Sequence, residues 1–562
     1  KGRATVDLLS EALPKLIAGL HVPKAMRWGT SEFEFVRPIR NLLCLFGTDV
    51  VPFEVDGVKT TATTWGHRLH HAQQPESVPV ASPESYESAL KTAGVIVSFG
   101  ERRQVIDAEM KALAAHVGGA VVEDDELLDT LAEIVEYPFV VRGEFPPEFM
   151  ALPKEVLVTS LKEHQKSFCV EGPDGKLLPY FLAVANRPDD PAGFVKSGNE
   201  WVLKARLYDA RFFFAEDLKA PLINRLESLQ QLTFHRELGS YLEKTGRIET
   251  VAVEIAKVLG LEVQEAAQAA KASKCDLRTL MVGEFPELQG VMGGEYLKHE
   301  SAPANVWQAV KEHYQPISAE DAIPATELGG VLAIADKLDT LVGCFAIGQI
   351  PSGSKDPLAL RRAGAGIIRT LWEKGWALNP VKLSAIALKA LGERNRKPEQ
   401  ETLDALESFF RDRIAYQLEL ASYAGPVRRA ALPVGFSDLK DLKARCDALS
   451  AFAEDARFAS LAQSAKRIGN ILKDEAPEAA FDANLLQQDE EKALAKRLAA
   501  LEATKDHAAL LSELATLAEP LEVFFNAVMV KCEDASLRGA RLSMLNRLRQ
   551  AFLRVADFSL WQ

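Results

Sequence analysis

The C-terminal stretch from Val523 onward constrains the fold most. Val523-Phe524-Phe525-Asn526-Ala527-Val528-Met529-Val530 runs into Ser536-Leu537-Arg538-Gly539-Ala540-Arg541-Leu542-Ser543-Met544-Leu545-Asn546-Arg547-Leu548, an amphipathic helix pair with arginines threaded through it. Leu537, Ala540, Leu545, Leu548, Phe552 and Val555 recur mostly at three- and four-residue spacings, which predicts one buried helix face. Arg538, Arg541, Arg547, Arg549 and Arg554 fall around the rest of the helix and predict a basic flank. Arg538, just after Leu537 at the helix start, has two readings: a recognition residue, or a tie to the neighbouring helix.

Length and charge narrow the class. At 562 residues, and with roughly 100 to 200 residues per domain, the chain is expected to be multidomain. No run of eighteen apolar residues is present, and Lys1-Gly2-Arg3-Ala4 has neither an initiator Met nor a signal core, so a protein without a membrane role is expected, beginning inside a longer natural product. Cys44, Cys169, Cys275, Cys344, Cys446 and Cys532 lie far apart with no CxxC pair, which argues against a zinc knuckle or a disulfide framework and fits the cytoplasm. A net charge of −13 argues against a generic nucleic-acid binder, because phosphate neutralisation needs a concentrated basic surface. Local clusters can still supply one: Lys355 to Arg362, Val427-Arg428-Arg429, Ser464-Ala465-Lys466-Arg467-Ile468 and the terminal helix.

Residues 1–220 are expected to be α+β, since short β-branched or aromatic runs (Phe139-Val140-Val141, Glu155-Val156-Leu157-Val158, Tyr180-Phe181-Leu182-Ala183-Val184) alternate with helical stretches at Tyr86 to Ala93 and Arg102 to His116. After Pro221 the pattern is helical, punctuated by Gly260, Gly293-Gly294, Gly329-Gly330 and Pro351 to Gly353. Glu393 to Glu401 and Ala424 to Gly435 read as exposed connectors. The expected division is 1–220, a helical 221–390, a linker or helical connector 391–440, and a helical 441–562.

Several segments, taken in order, are distinctive. Met26-Arg27-Trp28-Gly29 precedes Phe35-Val36-Arg37-Pro38, and then come Thr64-Trp65-Gly66-His67-Arg68, Glu136-Tyr137-Pro138 and Lys162-Glu163-His164-Gln165-Lys166. Gly198-Asn199-Glu200 continues through Ala205-Arg206-Leu207-Tyr208-Asp209-Ala210-Arg211-Phe212-Phe213, followed by Ala335-Asp336-Lys337-Leu338-Asp339-Thr340 and Gly353-Ser354-Lys355-Asp356-Pro357. With these motifs nearly the whole chain resembles the beta subunit of the bacterial two-subunit glycyl-tRNA synthetase, lacking part of the N-terminal region. The C-terminal helices resemble the helical, DALR-like anticodon-binding domain of aminoacyl-tRNA synthetases. Residues 1–220 resemble the B3/B4-like domain of the phenylalanyl-tRNA synthetase beta subunit, and residues 221–390 resemble an HD-type phosphohydrolase fold.

The resemblance implies that this chain recruits tRNA(Gly) while the alpha subunit uses ATP and magnesium to activate glycine, in a cytoplasmic heterotetramer, with no cofactor, catalytic residue or metal in this chain. The residues agree: no GxxxxGK[ST] loop is present, and neither is a HIGH-type element. Candidate tRNA contacts are Arg538, Arg541, Arg547, Lys466, Arg467, Arg361 and Arg362, with Arg27, Arg37, Arg68 and Lys166 in the first half, where salt-bridging to nearby carboxylates is an equal alternative. The competing function is an autonomous metal phosphohydrolase. Its ligands would be His235, Cys275-Asp276 and Asp336, but Cys275 stands where that chemistry needs His, so a degenerate scaffold is expected, with Asp336 and Asp339 bracing helices. His299 and His313, in charged settings, are expected at the surface. For editing, the acid–base candidates are His67, His70, His71 and His164, and glycine's small size argues against the need for such a sieve.

Overall fold

The computed structural model describes residues 2–22, 24–70, 77–353, 355–474 and 481–561. They fall into two compact units, Lys1–Asp217 and Leu218–Gln562. Helix predominates, and the sheets are small. No described helix is long and apolar enough to cross a membrane. His71 and Ser354, both named above, lie outside the described residues.

The first unit opens with α1 (Thr5–Ala18) and the short strands β1 to β7 between Leu42 and Pro79. It continues through α2 (Tyr86–Thr92), α3 (Phe99–Ala115), β8 (Ala120–Val121), α4 (Asp125–Ile134), β9 (Pro138–Glu144), α5 (Lys154–Thr159), β10 (Ser167–Glu171), β11 (Leu177–Asn186) and α6 (Phe194–Asp217). The main sheet is antiparallel in the order β8-β10-β11-β9. Ser98 and Asp124 cap α3 and α4 by accepting the N–H of Glu101 and Leu127, satisfying donors that a helix start leaves open. The two helices then bury Ile106, Met110, Leu127, Leu128 and Leu131 against Val140, Phe168, Val170 and Leu182 of the sheet. Gly143 lies opposite Phe181, and a Cβ there would sit 2.1 Å from the Phe181 ring, so only glycine lets the ring cover the β9 backbone. Glu155 to Val158, expected as a β-branched run, forms α5 instead. Its position after Pro153 and the burial of Val156 and Leu157 outweigh strand propensity.

The second unit begins with the hairpin β12 (Thr233–His235) and β13 (Gly239–Ser240). Next come α7 (Tyr241–Leu259), α8 (Val263–Ala272), α9 (Leu280–Glu284), α10 (Val291–His299), α11 (Ala304–Glu312), α12 (Glu327–Ala346), α13 (Leu360–Lys374) and α14 (Pro380–Leu391). Helix α12 is buried nearly all round, its Asp336 and Asp339 included, and α7, α11, α13 and α14 pack about it. Then α15 (Glu399–Leu420) buries Thr402, Leu406, Phe410, Ile414 and Leu418, spaced four residues apart, against α13 and α14. Ala424 to Gly435 is not an exposed connector: it holds α16 (Gly425–Ala431), with Val427, Ala430, Ala431 and Leu432 buried. Arg445 of α17 (Leu439–Phe452) clamps it by donating to the carbonyls of Ala431 and Gly435. The chain ends in α18 (Phe458–Asp474), α19 (Asp489–Ala503), α20 (His507–Ala515), α21 (Ala518–Ala527) and α22 (Ala535–Leu553).

Candidate nucleic-acid interface

The apolar residues of α22 lie where their spacing predicts: Leu537, Ala540, Leu545, Leu548, Phe552 and Val555 are all buried. The expected basic flank is different. Leu542, Ser543 and Met544 are buried too, so α22 is enclosed by its neighbours rather than resting on them by one face. Arg541 is 3% exposed, pairs through Nε with Glu491 Oε2 at 2.6 Å, and donates from Nη1 to the Met529 carbonyl at 2.9 Å. Burial pushes the Glu491 carboxyl up, but the Arg541 hydrogen bond and the Gln488 and Gln487 N–H groups outweigh it, so the group is held below its usual range. Arg541 therefore bolts α22 to α19, and its placement as a tRNA contact is corrected.

The other arginines of α22 divide. Arg538 donates to the Cys532 carbonyl at 2.9 Å, which favours the tie over the recognition reading. Arg554 donates to the carbonyls of Leu501 and Thr504. Arg547 is half-exposed, pairs with both Glu502 oxygens and lies 5.1 Å from the Phe481 ring. Arg467 stacks at 4.3 Å on Phe525 and stays at the surface. What remains open is a groove between α18 and α22 of about 320 Å³, floored by Phe552, Ala556 and Phe558 and rimmed by Lys466, Lys473 and Arg549. These three side chains are exposed and make no ion pair among the described residues. Lys473 was absent from the sequence candidates, although its spacing of seven from Lys466 places both on one helix face.

A second cluster sits inside the helical core, and it decides the phosphohydrolase question. Lys244 Nζ lies 2.9 Å from Asp336 Oδ1, 3.1 Å from Asp339 Oδ2 and 2.8 Å from Thr340 Oγ1. Lys274 Nζ lies 2.8 Å from Asp336 Oδ2 and 2.9 Å from His313 Nε2, against the Tyr314 ring. Arg247 grips both oxygens of Asp339. His313 is fully buried, not at the surface as expected. Its Nδ1 lies 2.6 Å from the Val310 carbonyl, so Nδ1 carries the proton and the Nε2 lone pair accepts from Lys274. Burial, then the Lys274 charge, keeps the imidazole well below its ordinary pKa. Burial raises Asp336, but Lys244 and Lys274 overcome it and hold the carboxylate well below its usual range. Three buried cations face two carboxylates here, and burial lowers Lys274 to about 8.

These residues do not fit a metal. Both Asp336 oxygens are already engaged by ammonium groups. Burial drives the Cys275 thiol up to about 12, and it donates to the Lys271 carbonyl. Asp276 is fully buried and accepts from the Gly290 and Gly293 N–H groups, with its Oδ1 lacking a partner and its pKa raised by burial to about 6. His235 lies on the β12 hairpin beside Gln349. No cluster of three His, Cys, Asp or Glu side chains able to hold a metal occurs among the described residues. The autonomous phosphohydrolase alternative is set aside on these contacts.

In the first unit Arg27 pairs with Glu34 on the surface, while Arg37 and Arg68 are exposed. Lys166 lies 3.5 Å from Glu163. His67 is buried with both ring nitrogens in use: Nδ1 accepts from Leu69 N–H and Nε2 donates to Asn186 Oδ1, the same oxygen that takes the Glu136 and Tyr137 N–H groups. It ties the Gly66-His67-Arg68 segment to the sheet and has no nitrogen left for acid–base work.

A basic-rimmed groove on a bundle of C-terminal helices is the kind of surface that a nucleic-acid-binding chain presents. The family model described as glycyl-tRNA synthetase beta subunit matches residues 1–433, and the DALR anticodon binding domain matches residues 461–555. A glycine–tRNA ligase beta subunit from Nitratidesulfovibrio vulgaris is 41% identical over 100% of this chain and 83% of its own length. Those from Syntrophus aciditrophicus and Neisseria gonorrhoeae are 39% and 38% identical over 99% and 100% of this chain, and over 81% and 82% of their own lengths. The chain belongs to the glycyl-tRNA synthetase beta subunit family.

Proposed function

We propose that this chain binds tRNA(Gly), through anticodon arm and body, and positions it for ATP-dependent glycylation at an active site held by the alpha subunit. ATP and magnesium act there, and this chain contributes binding and orientation rather than chemistry. The assembly is a cytoplasmic heterotetramer of alpha and beta chains. In this reading residues 1–220 are a B3/B4-like tRNA-binding region, 221–390 an HD-like scaffold, 391–440 a helical connector and 441–562 the anticodon module. The observation that carries it is the groove between α18 and α22, where Lys466, Lys473 and Arg549 present positive charge that is unpaired among the described residues, on a chain whose net charge is −13. In the first unit, Arg37 and Arg68 are exposed and offer further positive charge.

The test uses enzyme reconstituted with the alpha subunit. Lys473→Ala and Arg549→Ala should each weaken tRNA binding and lower the slope of log K against log salt by about one. The KM for tRNA should rise while the melting temperature stays put. Unchanged affinity in both variants overturns the placement. The chain alone should show no glycine-dependent pyrophosphate exchange.

A further inference from the structure

A cleft of about 340 Å³ lies between α13, α15 and the segment Pro316 to Ala319. Its wall is held in place from behind. Lys337 Nζ donates to the carbonyls of Tyr314 at 3.1 Å and Gln315 at 2.7 Å, and Arg369 Nη1 donates to those of Ala319 at 2.8 Å and Asp321 at 2.6 Å. Three further guanidiniums, Arg361, Arg362 and Arg413, line the opening, and no carboxylate does. None of the three is ion-paired among the described residues, and Arg413 Nε is shut off from water without an acceptor. Arg361 and Arg362 also stand in the first turn of α13, where the Asp356 carboxylate already takes the Leu360 and Arg361 backbone N–H groups, so it is the three guanidinium side chains, and not the helix end, that call for an anion.

The remaining lining specifies more than an anion. Tyr416 is 51% exposed and Leu420 56% exposed, and Ile317 faces them at the rim. A bare phosphate has no use for this apolar surface, and an apolar ligand has no use for three guanidiniums. A planar base joined to a phosphate uses both: the base packs against Tyr416 and Ile317, and the phosphate takes the guanidinium N–H donors. The volume is at the small end of ligand sites and admits one nucleotide, not a duplex.

We infer that this cleft takes a single unstacked nucleotide of the bound tRNA, its phosphate held by Arg361, Arg362 and Arg413 and its base against Tyr416. The inference rests on the tRNA-binding reading and adds to it a second, nucleotide-sized contact remote in sequence from the anticodon module.

The experiment uses enzyme reconstituted with the alpha subunit. Arg362→Ala and Arg413→Met should each weaken tRNA binding about five- to tenfold and lower the salt slope by about one, whereas Tyr416→Ala should weaken it with the slope unchanged and Tyr416→Phe should restore it. Arg362 and Tyr416 are surface side chains, so thermal melts should be unaltered for their variants. A photo-crosslinker in place of Leu420 should mark one unpaired nucleotide. Crosslinks spread along a duplex, or tRNA binding unchanged in all three variants, overturn the inference. So does tight binding of free AMP, GMP, CMP or UMP to the cleft with tRNA affinity unaffected, since the ligand would then be a free nucleotide. If the cleft variants bind normally while Lys473→Ala and Arg549→Ala do not, only the cleft assignment fails. If wild-type enzyme binds no tRNA, the broader reading fails with it.

Discussion

Replacing Arg541 by Met tests whether the terminal helix arginines are structural. Glu491 is fully buried and Arg541 is 3% exposed, so removing the guanidinium leaves a carboxylate inside the bundle with two backbone N–H groups as its remaining partners, and strips the Met529 carbonyl of its donor. Breaking a buried pair from one side costs about 3–5 kcal/mol. With a urea m value of roughly 1–3 kcal/mol/M, the unfolding midpoint of the α19–α22 region should fall by at least about 1 M. Hydrogen exchange of the full chain across a urea series reads this locally, because α19 and α22 should lose protection together while α3 and α4 keep theirs. The double variant Arg541→Met/Glu491→Gln buries no uncompensated charge and should recover at least half of the loss, since neutral replacement of a buried pair is often tolerated. The reasoning is refuted if Arg541→Met unfolds at the wild-type midpoint while its tRNA affinity and salt slope fall, for then the guanidinium faces RNA.

Two further outcomes follow from the buried charges. Asp276 titrates near 6 when folded against 3.8 unfolded, so the folded state binds more protons between those values, and this group's contribution is fully present below about pH 4 and lost as pH rises through 6. Asp276→Asn should therefore gain stability over wild type by up to about 3 kcal/mol at pH 7.5, with the gap closing towards pH 4, and a pH-independent gap in urea melts would refute this. Lys274 is lowered to about 8 from 10.5, so between those values the unfolded chain binds more protons and stability rises with pH. Lys337, also lowered by burial to about 8, adds the same slope, and Lys274→Met should remove about half of it, which urea titrations from pH 7.5 to 10.5 would detect.

Much of the architecture was legible because it rests on local pattern. The three- and four-residue spacings of Leu545, Leu548, Phe552 and Val555, and the strand runs at Phe139 and Tyr180, report their own placement. The errors arise where a distant partner decides. Arg541 carries the same spacing signal as Arg549, and the pairing with Glu491, fifty residues away, goes with burial of the one while the other stays exposed. His313 sits between Glu312 and Tyr314, a surface-like setting, yet Lys274 supplies the donor that its buried nitrogen requires. Ala424 to Gly435 looked like a connector because Gly and Pro mark turns, but Pro at the first turn of a helix is tolerated, and Arg445 satisfies the carbonyls at its end. The cleft holding Arg413 and Tyr416 joins segments a hundred residues apart and has no linear signature.

The lysines around Asp336 also bear on where and how the chain can be made. Domains that bury carboxylates around a bound metal have a folded fraction that follows the free ion concentration. Here the positive charges are covalently attached, so every copy of the chain leaves the ribosome with its counterions in fixed ratio. The helical unit thus carries an internal electrolyte at this cluster: Lys244, Lys274 and Arg247 balance Asp336 and Asp339 in a ratio that the supply of free ions does not set.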